Sequence, residues 1–140
     1  MRALIVQDGR LLLVNAYREG DSDLWCAPGG GVELHGSLHD NLMREVHEET
    51  GLTVHVGDLA GVNEFHDPAG SFHQVEIFFH ARIAAGALDP AWRDLDQIVS
   101  KRHFFSPEEM RAVRYKPDAL ARMAFDVGTA RYDPLERIVR

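Results

Sequence analysis

Arg44, Glu45, Glu48 and Glu49 fall within six positions of one stretch, LMREVHEETGL, residues 42–52. Like charges set this close repel, so either the stretch is a solvated helix face or a positive charge belongs beside it. Carboxylates are hard oxygen donors. Three of them together suit Mg²⁺ or Mn²⁺ rather than zinc. Arg44 next to Glu48 could orient a carboxylate through a forked pair of hydrogen bonds.

A helix must carry these groups. Ser37 is placed to N-cap it, with Asp40 three residues on as a capping-box-like partner. Leu38, Leu42 and Val46 recur every four residues as one apolar stripe, and Gly51 follows the last turn, where a left-handed residue is common. At about 100° per residue the three glutamates share an arc roughly 100° wide beside that stripe. A helix docked by the stripe aims them along the edge of its contact with the sheet. Carboxylates there are unfavourable unless a cation or hydrogen bonds compensate. Spacing alone leaves open that they form a charged helix edge.

The surrounding elements follow from turn and periodicity signals. ALIVQ and LLLVNA flank DGR as a hairpin, and LWCAPGGG ends in glycines that terminate an element. LTVHVGDLAGVNEF reads as a strand with a glycine interruption. FHQVEIFFHARI alternates as a second strand, and IVSKRHFF is a third candidate. SPEEMRAV opens a helix with Ser106 as N-cap and Pro107 first, and KPDALARMAFDV adds another. The tail GTARYDPLERIVR carries no clear signal. Strands and helices mix without regular alternation. This predicts an α/β or α+β sandwich around a mixed sheet, as a single domain over residues 1–140.

The net charge of −7 disfavours non-specific binding to nucleic-acid polymers or anionic membranes. Cys26 is the only cysteine, so no intrachain disulfide forms, which fits a reducing compartment. No apolar run is long enough to span a bilayer, and the N-terminus reads as a hairpin rather than a signal peptide. The cytoplasm is the expected location.

Residues 30–52, GGVELHGSLHDNLMREVHEETGL, resemble the Nudix box. Gly30, Arg44, Glu45, Val46, Glu48, Glu49, Gly51 and Leu52 match its pattern in type and spacing. One position departs: Gly36 stands where the first glutamate belongs, and LHGS stands where members often read Pro-Gly-Glu-Ser. LWCAPGGGVE before the box and FFSPEEM after it extend the similarity loosely to about residue 112. The resemblance implies a Nudix-type α/β/α sandwich around a mixed β-sheet, with the box as loop-helix-loop. It implies a Mg²⁺-dependent hydrolase, with Mn²⁺ as an alternative, that cleaves a pyrophosphate bond in a small nucleotide-type substrate. Glu45, Glu48 and Glu49 then take the metal-ligand positions and Arg44 that of the supporting arginine. Many members are dimers, so a homodimer is an expectation, although no interface is legible.

The base that activates water is left open among a box glutamate, Glu76, Asp94 and Asp96. Arg18, Gly30, Gly31 and Glu76 are candidate substrate contacts. Trp25, Phe65 and Phe78 could stack on a base, but core packing is the stronger reading. Lys101, Arg102, Arg111, Arg114 and Lys116 could line an anionic ligand or form a solvated face. Gly36 favours a rival reading, a non-catalytic nucleotide-metabolite sensor; the intact Arg-Glu and Glu-Glu pairs argue against it. On sequence grounds Gly36→Glu is expected to preserve or raise activity.

Overall fold

The computed structural model describes residues 1–126, 128–133 and 135–139. Val127, at the end of the expected C-terminal helix, and Pro134 and Arg140, in the tail, lie outside the described residues. β1 (Arg2–Gln7) and β2 (Arg10–Asn15) form the expected hairpin. Asp8 and Gly9 turn it with φ of 50° and 72°, the two positive values that a tight two-residue turn requires. Then follow β3 (Trp25–Cys26), α1 (Leu38–Thr50), β4 (Thr53–His66) and β5 (His73–Ala85). β6 (Arg102–Phe105), α2 (Pro107–Met110), α3 (Leu120–Phe125), β7 (Arg131–Tyr132) and β8 (Glu136–Arg137) complete the described elements.

The strands form one mixed sheet in the order β3-β2-β1-β5-β4-β7, with β6 paired to β2 and β8 to β4. β1 runs parallel to β5, whereas β4 and β5 are antiparallel, with register shifts around Leu59 and Gly61 where the glycine interruption was read. Alternation along the strands divides the core into two layers. Ala3, Ile5, Leu12, Val54 and Phe79 face Leu42 and Val46 of α1. Leu4, Leu11, Leu13 and Phe78 face Leu120, Met123 and Ala124 of α3. Helices thus cover both faces of a mixed sheet, the α/β/α arrangement expected. Each fully buried aliphatic side chain contributes about 1.5–3 kcal/mol of burial free energy.

Two expectations differ in extent. The helix opening at Ser106 lasts one turn, because Tyr115 is drawn into a parallel bridge with Trp25. Trp25 N donates to the Arg114 carbonyl (2.8 Å), and Lys116 N donates to Trp25 O (3.1 Å). The tail, which carried no signal, adds β7 and β8 alongside β4.

The cap of α2 is reciprocal: Glu109 N donates to Ser106 Oγ (3.2 Å), and Ser106 N donates to Glu109 Oε2 (2.7 Å). Arg10 donates to the same carboxylate at 2.5 Å. The Ser106 backbone donor, followed by Arg10, holds the Glu109 carboxyl down at about 2, from 4.5. A lowered folded-state pKa adds stability that is present above 4.5 and lost as pH falls through about 2. Glu109→Gln should therefore lower the urea midpoint at pH 7. The difference from the parent should close as pH falls from 4.5 toward 2; a gap that stays constant with pH would contradict this account.

Candidate metal and substrate site

Helix α1 is built as its sequence suggests. Asp40 N donates to the Ser37 hydroxyl (3.0 Å), an N-cap worth about 1 kcal/mol, and Gly51 ends the helix at φ 75°. Leu42 and Val46 are fully buried against the sheet, while Glu45, Glu48 and Glu49 lie half-buried along the contact edge.

The three carboxylates have different surroundings. Glu49 Oε2 accepts the Gly29 backbone N–H at 2.8 Å. Burial pushes its carboxyl up to about 7, against the opposing pull of Arg2 and the Gly29 N–H; the nearby Glu45 charge adds to the rise. Glu45 lies against Gly30, where a Cβ would overlap its carboxyl group. A side chain at Gly30 would therefore displace the Glu45 carboxyl group from its place, although the backbone conformation there is one any residue adopts. Arg44 joins Glu45 and Glu48, donating to Glu45 Oε1 at 2.9 Å and Glu48 Oε2 at 2.7 Å, and also lies 3.6 Å from Glu33. Gly31 is exposed, with open space where a side chain would project.

The helix end carrying these acids is clamped from outside. Trp92 Nε1 donates to the Glu48 carbonyl (2.9 Å), and Arg102 Nε donates to the Glu49 carbonyl. These are two of the carbonyls a helix C-terminus leaves unpaired, and a cation there also complements the helix dipole. Of the five basic residues read together, Arg102 reaches the helix end and Lys116 lines the neighbouring cleft. Arg114 pairs with Asp23, and Lys116 lies 2.6 Å from Glu136 and 2.9 Å from Asp118.

Arg2 was not singled out by sequence reading. Its Nε donates to Glu76 Oε1 (2.8 Å), and its Nη1 donates to the carbonyls of Gly29 (2.7 Å) and Ala27 (3.3 Å). It thereby joins the glycine loop to the wall of a cleft of about 690 Å³. Tyr17, Phe65, Gln74, Glu76, Ile138 and Val139 are among the residues lining that cleft. Glu76 is buried and accepts a second hydrogen bond from Gln74 (2.7 Å). Cys26 also lines the cleft, and burial pushes its thiol up to about 12, so it stays protonated.

Several candidates are resolved differently. Arg18 is exposed and donates to the Asp96 carbonyl (3.4 Å); its neighbour Tyr17 is the one at the cleft. Asp94 accepts the backbone N–H groups of Ile98 and Val99, both at 2.9 Å, and so folds its loop. Asp96 is exposed in that loop. Phe78 is fully buried in the core, and Trp25 packs edge-on against Phe105 at 4.9 Å, as the packing reading held.

Among the described residues no three His, Cys, Asp or Glu groups converge tightly enough to cage an ion. The donor chemistry nonetheless fits a hard divalent cation. Glu45 and Glu49 are carboxylates set against Gly30 and Gly29 respectively, and the Glu45 charge adds to the rise at Glu49.

A NUDIX domain family model matches residues 2–124. A MutT-like protein of Streptomyces ambofaciens is 44% identical over 59 residues, covering 42% of this chain and 36% of that protein. An ADP-ribose pyrophosphatase of Methanocaldococcus jannaschii is 31% identical over 85 residues, covering 61% of this chain and 50% of that protein. The chain thus spans about a third to a half of the length of these curated relatives. The solved structure of an ADP-ribose pyrophosphatase from Streptococcus suis shares the fold, with TM-score 0.70 and 23% identity over 94% of this chain and 96% of that one.

Two predictions follow from the geometry. The position of the missing glutamate is not open: a Cβ at Gly36 would sit 2.6 Å from Asn41 Nδ2. Asn41 is buried and holds the loop, donating to Ser37 O (2.9 Å) and accepting from Glu33 N (2.8 Å). The sequence expectation is thereby revised, and Gly36→Glu should lower both the melting temperature and any turnover. A variant as stable and active as the parent would restore the earlier expectation. The second concerns Glu49. A raised folded-state pKa adds stability present below 4.5 and lost as pH rises through about 7. In EDTA, the parent's urea midpoint should fall across that window, and Glu49→Gln should remove that component of the fall.

Proposed function

The chain belongs to the Nudix family, and from that premise we propose that it is a Mg²⁺-dependent hydrolase cleaving a phosphoanhydride in a nucleoside diphosphate-linked or nucleoside triphosphate substrate. The observation that carries this reading is the packing of Glu45 and Glu49 against Gly30 and Gly29, with Arg44 bridging Glu45 to Glu48.

In this proposal Glu45, Glu48 and Glu49 hold the cation. Bound Mg²⁺ would neutralise pyrophosphate oxygens and lower the pKa of a ligated water. Arg44 fixes one oxygen each of Glu45 and Glu48, which sets the directions of the remaining lone pairs. The Gly29 N–H holds Glu49 from the loop side. The glycine loop brings backbone, not side chains, to this edge, so a phosphate can approach closely. Among the acids outside the box considered as general base, we favour Glu76, which lines the cleft while Asp94 is committed to its loop; a box glutamate is the alternative. Arg2 and Gln74 both donate to Glu76 Oε1, which orients the carboxylate. The lone cysteine fits a cytoplasmic location within the same proposal.

The test is product release from nucleoside triphosphates, nucleotide sugars, dinucleoside polyphosphates and ADP-ribose, the last suggested by the name of the Methanocaldococcus relative. Turnover is expected with Mg²⁺ and not with EDTA. Glu48→Gln and Glu49→Gln should each lower kcat by about 100-fold. Binding without turnover, unchanged by either substitution, would instead favour a nucleotide-metabolite sensor.

A further inference from the structure

The matched family region ends at residue 124, yet the wall of the cleft does not. Ile138 and Val139 line it, opposite Tyr17, which leaves β2 on the other side. The tail that brings them there is fastened at many points. Asp133 N donates to Val62 O (2.8 Å), and Ile138 N donates to His66 O (2.9 Å), continuing the parallel pairing with β4. The Glu136 carboxylate accepts from Lys116 Nζ (2.6 Å) and Asp118 N (2.9 Å). The Tyr17 hydroxyl donates to the Val139 carbonyl at 3.0 Å and so ties the two walls together.

A wall held this way has a fixed shape. β5 and β4 lie between β1, which carries Arg2, and β8, which leads into Ile138. Ile138 and Val139 therefore stand across the sheet from Arg2, whose contact with Gly29 O joins its side of the cleft to the glycine loop. A phosphate group at the box would direct its attached organic group toward Phe65, Ile138 and Val139. A volume of about 690 Å³ is ample for that group, and a lining in which Phe65, Phe72, Ile138 and Val139 stand beside the polar Tyr17 and Gln74 suits a flat ring system with hydrogen-bonding edges.

We infer that the described part of the C-terminal tail, residues 131–133 and 135–139, is a specificity wall: Ile138 and Val139, tied across the cleft by Tyr17, enclose the nucleobase of the ligand. The inference rests on the proposed function only in taking the ligand to be a nucleotide. It is read by equilibrium binding and needs no turnover, so loss of the hydrolase reading and loss of this one are separable.

The experiment measures calorimetric binding of AMP and of ribose 5-phosphate, which lacks the base, with Mg²⁺ present. The proteins are the full chain, Ile138→Trp, which fills the cleft, and Tyr17→Phe, which removes the cross-tie. Thermal melts select the variants that fold, and either variant alone suffices. AMP is expected to bind the parent more tightly than ribose 5-phosphate. Each variant should weaken AMP by about tenfold or more and leave ribose 5-phosphate unchanged. Three results would overturn the inference: a parent that does not prefer AMP, a folded variant whose AMP affinity stays within twofold, or equal weakening of both ligands.

Discussion

The architecture of this site depends on carboxylates of a helix being pressed against backbone that has no side chains. Glu49 receives the Gly29 N–H, and Glu45 occupies space that a Cβ on Gly30 would fill. Burying a carboxylate is costly, and the raised pKa of Glu49 shows that its one backbone donor and the Arg2 charge do not offset the cost. The helix tolerates this because Leu42 and Val46, on the same face, bury fully against the sheet and fix its position. Core packing therefore sets where the acids stand, and their electrostatics are accepted as a consequence.

The glycine loop is held equally firmly from the strand side. Ala3 N donates to Pro28 O (2.8 Å), the N-terminal ammonium donates to Gly30 O (2.8 Å), and Arg2 binds the carbonyls of Ala27 and Gly29. On the far side of the helix, Trp92 and Arg102 take the carbonyls of Glu48 and Glu49. Their loop is in turn folded by Asp94, and by Asn15, which accepts the N–H groups of Ser100 and Lys101. Acids adjacent in sequence are thus positioned by residues 44 and 53 places away. A perturbation in the 92–102 segment reaches the site through backbone carbonyls rather than through side-chain contact.

Local features were legible in the sequence because they rest on short-range chemistry. The Asp8-Gly9 turn, the Ser37 cap, the Leu42–Val46 stripe and the left-handed Gly51 each depend on a few neighbouring residues. What was missed is non-local. Nothing near Arg2 indicates that Glu76, 74 positions on, will pair with it. The tail strands carry little periodicity because they are two residues long and borrow their register from β4. Asp94 looked like a spare acid until its backbone donors were visible. The Gly36 departure was visible, but its consequence was not. His35 adopts φ 71°, at the position where the box often has glycine, and Gly36 makes room for the Asn41 amide.

Within the proposed function, the net charge of the chain also favours an added cation. A chain of net charge −7 that binds a pyrophosphate needs positive charge at the point of contact. The basic side chains near the site are already engaged by the protein. Arg44 is shared among Glu45, Glu48 and Glu33; Arg2 serves Glu76 and the loop carbonyls; Arg102 serves the carbonyls of Glu49 and Val99; Lys116 serves Glu136 and Asp118. Redirecting any of them to a phosphate would leave a half-buried acid or carbonyl unpaired, at about 1–3 kcal/mol each. A divalent ion avoids that exchange, because it satisfies the acids and the phosphate together. On the proposed function, the arginines would act as scaffolding that orients acceptors, and the acidic helix edge would be the means by which an anionic protein holds an anionic ligand.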